Sequence, residues 1–259
     1  MIIGSGISIG PGISINDTVE VLQTFSANGN ITISANIQIR SANMLLVAGG
    51  GGGGGGSYGS PGGAGGLLAN INILPNIAPG GTYTITIGSG GSVGSTPGGN
   101  SVAFGYTAVG GGRGYNAEVP TTGYNGGSGA GGRQISDLSY QGPGTGIAGQ
   151  GYNGGYGYNQ DLNVIVAPGG GGGAGGIGSN GSATAYGVGG PGVYDNISGT
   201  NTLYAQGGDG SIRFANANSQ SGNVYTTSGS GGRGGAEAEA NVSAGIAGIC
   251  IIKYTYIPG

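Results

Sequence analysis

Eight consecutive glycines, Gly49, Gly50, Gly51, Gly52, Gly53, Gly54, Gly55 and Gly56, follow directly on the apolar run Met44-Leu45-Leu46-Val47-Ala48. Fixing one residue's backbone costs roughly 1–2 kcal/mol, more for glycine, and here no side chain is buried in return. The offset has to come from the backbone itself, where each residue carries one donor and one acceptor and a net hydrogen bond contributes about 0.5–1.5 kcal/mol. An isolated glycine run therefore stays disordered, and an ordered one requires neighbours that pair with it. Extended glycine segments can be those neighbours for one another. They wind as left-handed helices with about three residues per turn and pack side by side through N–H and Cα–H donors.

The chain holds several such segments, at 49–66, 110–114, 126–132, 169–178 and 229–235, within a total of 71 glycines in 259 residues. At three residues per turn, the non-glycine positions of a packed helix are expected every third residue on an outward row. Tyr58, Pro61, Ala64 and Leu67 keep that spacing, as do Pro168, Ala174 and Ile177, and Ser230, Arg233 and Ala236. Ser57, Ser60 and Ser128 interrupt it, which argues for short helices rather than a collagen repeat. The expectation is a small bundle of polyglycine II helices.

Charge is sparse: six basic and nine acidic residues stand singly, for a net charge of −3. Without a basic patch, nucleic-acid binding through phosphate neutralisation is not expected. Gly/Ser-rich chains are commonly linkers, but 15 tyrosines and recurrent strand patterns point to a folded chain. Cys250 is alone, within Ile249-Cys250-Ile251-Ile252, and reads as core packing; it excludes an intrachain disulfide and a cysteine metal site. No apolar stretch reaches the length of a membrane span, and the N-terminus lacks a signal-peptide pattern. Export, if it occurs, is expected by lysis or a dedicated route.

Residues 4–15 repeat a hexapeptide, Gly4-Ser5-Gly6-Ile7-Ser8-Ile9 and Gly10-Pro11-Gly12-Ile13-Ser14-Ile15. The strip Ile7, Ile9, Ile13 and Ile15 is too short to bury itself. It is expected to dock on a partner or on copies of itself, or else to form an edge strand of the main sheet. Residues 1–17 are accordingly set apart as an attachment or oligomerisation segment, and 18–259 as one glycine-rich domain. From Val19 the pattern is all-β, with essentially no α-helix. Ile31, Ile33, Ala35, Ile37 and Ile39 alternate with polar residues over a nine-residue strand. Leu67–Ile73 and Thr82–Ile87 follow, then shorter strands at Leu162–Val166, Thr202–Ala205, Ser211–Ala215 and Val224–Thr227. The apolar stretch from Ile246 to Ile257 reads as a central strand.

The order of motifs resembles a known family. Thr24-Phe25-Ser26-Ala27-Asn28-Gly29-Asn30-Ile31-Thr32-Ile33, Met44–Ala48 running into polyglycine, Gly62-Gly63-Ala64-Gly65-Gly66-Leu67-Leu68, Pro79–Gly88 and Gly248–Tyr254 are similar to the glycine-rich domain of bacteriophage tail-fibre and related virion proteins. A glycine-rich module of some animal receptor ectodomains is also similar, but is cysteine-stapled. The resemblance implies a jelly-roll-like β-sandwich with inserted polyglycine helices. It also implies a homo-oligomer, with a trimer favoured, on the virion surface beside other virion proteins, and loops that bind a bacterial surface glycan or outer-membrane protein.

Enzymatic chemistry finds little support. There is no histidine, so triads built on one are impossible, and the only lysine, Lys253, is not in a Walker loop. No cofactor and no metal are expected. Glu237 and Glu239 share one face of an expected strand and read as solvated, with catalysis or Ca2+ binding as the sharper alternative. Gly207-Gly208-Asp209-Gly210 reads as a turn. Tyr115, Tyr124, Tyr152, Tyr156 and Tyr158 lie in Asn/Gly-rich connections, including the near repeat Tyr124-Asn125-Gly126-Gly127 and Tyr152-Asn153-Gly154-Gly155. They either grip a receptor with stiff aromatic faces or cap the glycine lattice against water. The functional expectation is a structural or adhesive virion protein. The alternative is a non-viral extracellular protein, a surface-filament subunit or an ice-binding polyglycine bundle.

Overall fold

The computed structural model describes residues 18–56, 59–94, 96–116, 124–136, 139–161, 165–214, 219–235 and 242–259. Ile7, Ile9, Ile13 and Ile15, together with Tyr58, Ala236, Glu237 and Glu239, lie outside the described residues. Sequence patterning becomes β1 (Val19–Phe25), β2 (Gly29–Thr32), β3 (Ile37–Val47), β4 (Leu67–Asn72), β5 (Thr82–Ile85), β6 (Ser101–Ala103) and β7 (Tyr106–Ala108). Next come β8 (Arg133–Ser136), β9 (Ser139–Gln141), β10 (Tyr158–Asp161), β11 (Ile165–Ala167), β12 (Val193–Asp195) and β13 (Thr202–Tyr204), then β14 (Ser211–Phe214), β15 (Gln220–Ser221) and β16 (Ile249–Pro258). Among the described residues no α-helix forms, and Leu74–Asn76 makes one 3-10 turn.

The base is a two-layer β-sandwich. Its main sheet has the order β1-β16-β3-β4, all antiparallel, and the second layer is built from the pairs β2-β5 and β6-β7. β16 is central, as its apolar character on both faces requires. Met44, Leu46, Cys250 and Ile252 meet Ile31, Ile33, Ile85 and Phe104 between the layers. Leu45, Val47 and Ile251 face the other way, onto Ala64, Leu67, Tyr204 and Ala205. A core on each side explains why Met44-Leu45-Leu46-Val47 shows no alternation.

Above the sandwich the glycine segments pack as expected, and the backbone hydrogen bonds give their geometry directly. In the run after β3, the N–H groups of Ala48, Gly51 and Gly54 donate to Gly66, Gly63 and Ser60. Those of Gly49 and Gly52 donate to Gly99 and Thr96, and those of Gly50 and Gly53 to Ile246 and Ser243. The partner number falls by three as the donor number rises by three, so each neighbour runs antiparallel. The carbonyls complete the pattern. Gly111 and Gly114 donate to Gly49 and Gly52, Gly91 and Gly94 to Gly50 and Gly53, and Gly232 and Gly235 to Gly51 and Gly54. Residues 48–54 are thus a threefold rod inside six neighbours, three antiparallel and three parallel. Rods 60–66 and 169–175 are also enclosed by six neighbours each, at least four of them antiparallel.

The rods also fix the polarity of the molecule. Val47, Leu67 and Ile249 are paired at the bundle end of the main sheet, whereas Val19, Ile37 and Pro258 sit at its opposite end. Ser128 and Gly131 donate to Ala64 and Pro61 in turn, so that rod climbs away from the sandwich before entering β8. The pair β8-β9 and the sheet β10-β11-β14-β15 therefore form at the far pole, where β8 contacts β10 and β11.

Several expectations need correction. Ile31–Ile39 is not one strand: the chain bends at Ala35 and Asn36, because Ile31 and Ile33 belong to one layer and Ile37 and Ile39 to the other. Val224–Thr227 is irregular, and the strand lies earlier, at Gln220–Ser221. The row Pro61, Ala64 and Leu67 exists but points inward; all three are buried, and Ala64 and Leu67 fill the seam between rod and sheet.

Candidate functional site

The five tyrosines do not share one surface. Tyr115 is buried, with its Oη donating to the Gly142 carbonyl at 2.8 Å and its backbone N–H donating to Ser60 Oγ at 2.9 Å. Its ring stacks on Tyr124 with centroids 3.4 Å apart. The Arg133 guanidinium lies 5.5 Å from the Tyr115 ring and that of Arg113 lies 5.7 Å from Tyr124, within cation–π range. Burial lowers the Arg133 pKa, an effect opposed by Tyr124 and Tyr115. The stacked pair plugs the bundle where rod 109–115 ends, with Tyr115 buried and Tyr124 half-buried. Tyr158 opens β10 and is half-buried. Tyr152 and Tyr156 are the exposed members, at 47% and 53%.

The repeated asparagines have a clear local task. A rod at the lattice edge lacks backbone carbonyls on one side, and an Asn side chain stands in for the missing acceptor. Asn125 Oδ1 accepts from Thr145 N–H and Asn153 Oδ1 from Gly146 N–H, so the near repeat holds one rod from two sides. Asn180 goes further: its Oδ1 accepts from Tyr156 N–H while the following Gly181 N–H donates to the Tyr156 carbonyl. Asn100 Oδ1 and Gln150 Oε1 do the same for Gly110 and Val109.

Asp209 was expected in a turn, but it lies in the rod 205–210 and is fully buried. Its Oδ1 accepts from Gly189 N–H and Tyr225 Oη, and its Oδ2 from the Asn223 N–H and Nδ2. Four donors on one carboxylate offset its removal from water. Burial, and then the adjacent Asp209, push the Tyr225 phenol up to about 12. Sequence inspection missed this knot; the available signal was a lone acid between glycines in a chain with few charges. Among the described residues, no group of three acidic or cysteine side chains is placed to hold a metal ion.

One flank of the bundle is unlike the rest. Gly154 donates to Gly144, Gly178 and Gly181 to Asn153 and Tyr156, and Ser179 to Val188, so rods 142–147, 151–157, 176–181 and 186–192 lie in a row. Where this row meets β4 and β12, a cleft of about 670 Å3 is walled by Leu67, Ala69, Tyr152, Ala174, Ile177 and Val193. The polar side chains at its rim are engaged: Gln150 with Val109 and Thr107, and Asn153 with Gly146.

These features define an all-β sandwich that projects a hydrogen-bonded bundle of glycine helices. The chain belongs to the glycine-rich domain family, whose model matches residues 25–255. No curated protein matches the chain.

Proposed function

We propose that this glycine-rich domain is a non-enzymatic structural and adhesive virion protein, a phage tail fibre, fibre tip or decoration, exposed on the particle surface and working as a homo-oligomer. The observation that carries this reading is the polarity of the fold. Residue 18 enters at the sandwich pole beside Tyr256, so residues 1–17 attach there, and the far pole holds the hairpins β8-β9 and β10-β11. A rod at about 3.1 Å per residue with its amides paired on six sides is a stiff spacer between the two. In this role the strip Ile7, Ile9, Ile13 and Ile15 anchors the module to itself or to other virion proteins. The far-pole hairpins, with Tyr156 and Tyr158 at their rim, meet a bacterial surface glycan or outer-membrane protein.

The test is adsorption. Purified chain added to host cells should compete with the phage for attachment, and antibody to the chain should mark fibre or tail tips in electron micrographs. Attachment that is indifferent to excess chain, with antibody absent from the particle, would exclude this function.

A further inference from the structure

The four Asn-Gly dipeptides of the sequence, Asn28-Gly29, Asn125-Gly126, Asn153-Gly154 and Asn180-Gly181, share one arrangement at the side chain. Each asparagine Oδ1 accepts a backbone N–H from another segment: Ile87 for Asn28, Thr145 for Asn125, Gly146 for Asn153 and Tyr156 for Asn180, at 2.8–2.9 Å. In the three bundle pairs the glycine N–H is donated to the same neighbouring rod, from Gly126 to the Thr145 carbonyl, from Gly154 to Gly144 and from Gly181 to Tyr156. Thr145 and Tyr156 thus each give an N–H to the side chain and accept one from the next glycine, a two-point clip. All four asparagines are exposed, so burial does not shield them.

Asn-Gly is the dipeptide best suited to losing its side-chain amide, because glycine puts no Cβ in the way of its own nitrogen. Base removes the glycine N–H proton, the nitrogen attacks Asn Cγ, and the bond from Cγ to Nδ2 breaks as that nitrogen takes a proton from water and leaves as ammonia. Water then opens the five-membered imide at one of its two carbonyls. One product is an α-linked aspartate; the other is β-linked, with an extra methylene in the main chain. One water is consumed for each ammonia released, and the base is regenerated. The clip restrains both atoms that have to meet. It holds the glycine proton on a carbonyl of the neighbouring rod, and it anchors the carboxamide to that rod through Oδ1.

We propose that the Asn-Gly pairs of the bundle are latent modification sites: spontaneous deamidation is held off at Asn125, Asn153 and Asn180 by their clips to rods 142–147 and 151–157, and begins when those rods open. A β-linked product does not rebuild the clip, because its extra methylene moves the glycine N–H out of step with a repeat of three residues. Unfolding thereby becomes irreversible with time. None of this depends on the virion assignment.

Peptide mapping by mass spectrometry tests it on the full chain at mildly alkaline pH, unfolded in guanidinium chloride or native in sodium chloride of matched ionic strength. Opening a clip gives up two hydrogen bonds, so conversion at the three sites should be at least about fivefold slower in the native chain. Chain returned to native buffer after ageing in guanidinium should regain its Tm in a fraction that falls as β-linked aspartate accumulates. Thr145→Pro supplies a local test. Its rod already carries Pro143, and proline keeps the extended φ while removing the N–H that Asn125 accepts. In that variant Asn125 should convert about threefold faster or more in the native state, with Asn153 and Asn180 unchanged. Equal rates in the native and unfolded chain, full refolding of β-linked chain, no acceleration at Asn125 in T145P, or equal acceleration at all three sites would each overturn the proposal.

Discussion

Replacing Gly51 by alanine should be among the most damaging single-methyl changes available to this chain. An ideal Cβ at Gly51 falls 2.0 Å from the Gly112 carbonyl oxygen and 2.6 Å from its carbon, and the next nearest atom, Gly111 O, is also backbone. No side-chain rotation relieves that overlap. Reaching ordinary contact requires rod 109–115 to withdraw by more than an ångström. That rod donates from Gly111 and Gly114 to Gly49 and Gly52, and accepts from Ser60, Gly63 and Gly66 at Tyr115, Gly112 and Val109. Weakening three to five such bonds at about 0.5–1.5 kcal/mol each gives a loss of roughly 3–5 kcal/mol. The usual gain from Gly→Ala, about 0.4–1 kcal/mol through the unfolded chain, has the opposite sign and is smaller. In a chain of this size the net loss lowers Tm by on the order of 10 °C. Gly149→Ala is the control: its φ of +80° carries a strain of about 1–2 kcal/mol, but nothing lies within 4 Å of the added methyl. Differential scanning calorimetry should therefore rank wild type, then G149A, then G51A. A G51A chain melting at or above G149A would refute the lattice reasoning.

Asp209→Ala leaves four donors facing a void and should cost about 2–4 kcal/mol by chemical denaturation. Stability should fall as pH rises from 9.0 to about 12, because the Cys250 thiol and the Tyr225 phenol are both raised in the folded state and the unfolded chain loses these protons first. Tyr225→Phe should flatten part of that fall. Cys250, pushed up to about 12 by burial, should stay inert to thiol reagents until the chain unfolds. Asn153→Asp keeps an acceptor for Gly146 N–H and should shift Tm less than Asn153→Leu, which removes it.

The sandwich was legible because its side chains alternate or cluster on a scale of a few residues. The central place of Ile249–Pro258 followed from apolar character on both faces, and Val47 running into glycine marked the exit into the bundle. The core rods were legible because a rod with six neighbours admits almost nothing but glycine. Edge rods were not, since they carry side chains outward and need glycine only where they face in. Rod 242–248 keeps Gly245 and Gly248, whose added Cβ atoms would meet Gly50 O and Val47 O at 2.1 and 2.0 Å. Gly151, Gly154 and Gly157 share this spacing of three. Glycine every third residue was thus the better signal than the non-glycine rows. Tyr115 and Tyr152 illustrate the other limit. Similar surroundings in sequence place one inside the bundle and one on its flank, because burial depends on which rods end beside them.

Amide hydrogen exchange at Gly49–Gly54 tests the central claim most directly. These residues belong to neither helix nor sheet, bury no side chains, and would exchange freely in a loop. The six-neighbour lattice pairs every one of their N–H groups. NMR on glycine-labelled protein should find the six amides protected as strongly as those of β3 and β16, whereas exchange near the rate of an unstructured peptide would contradict the account.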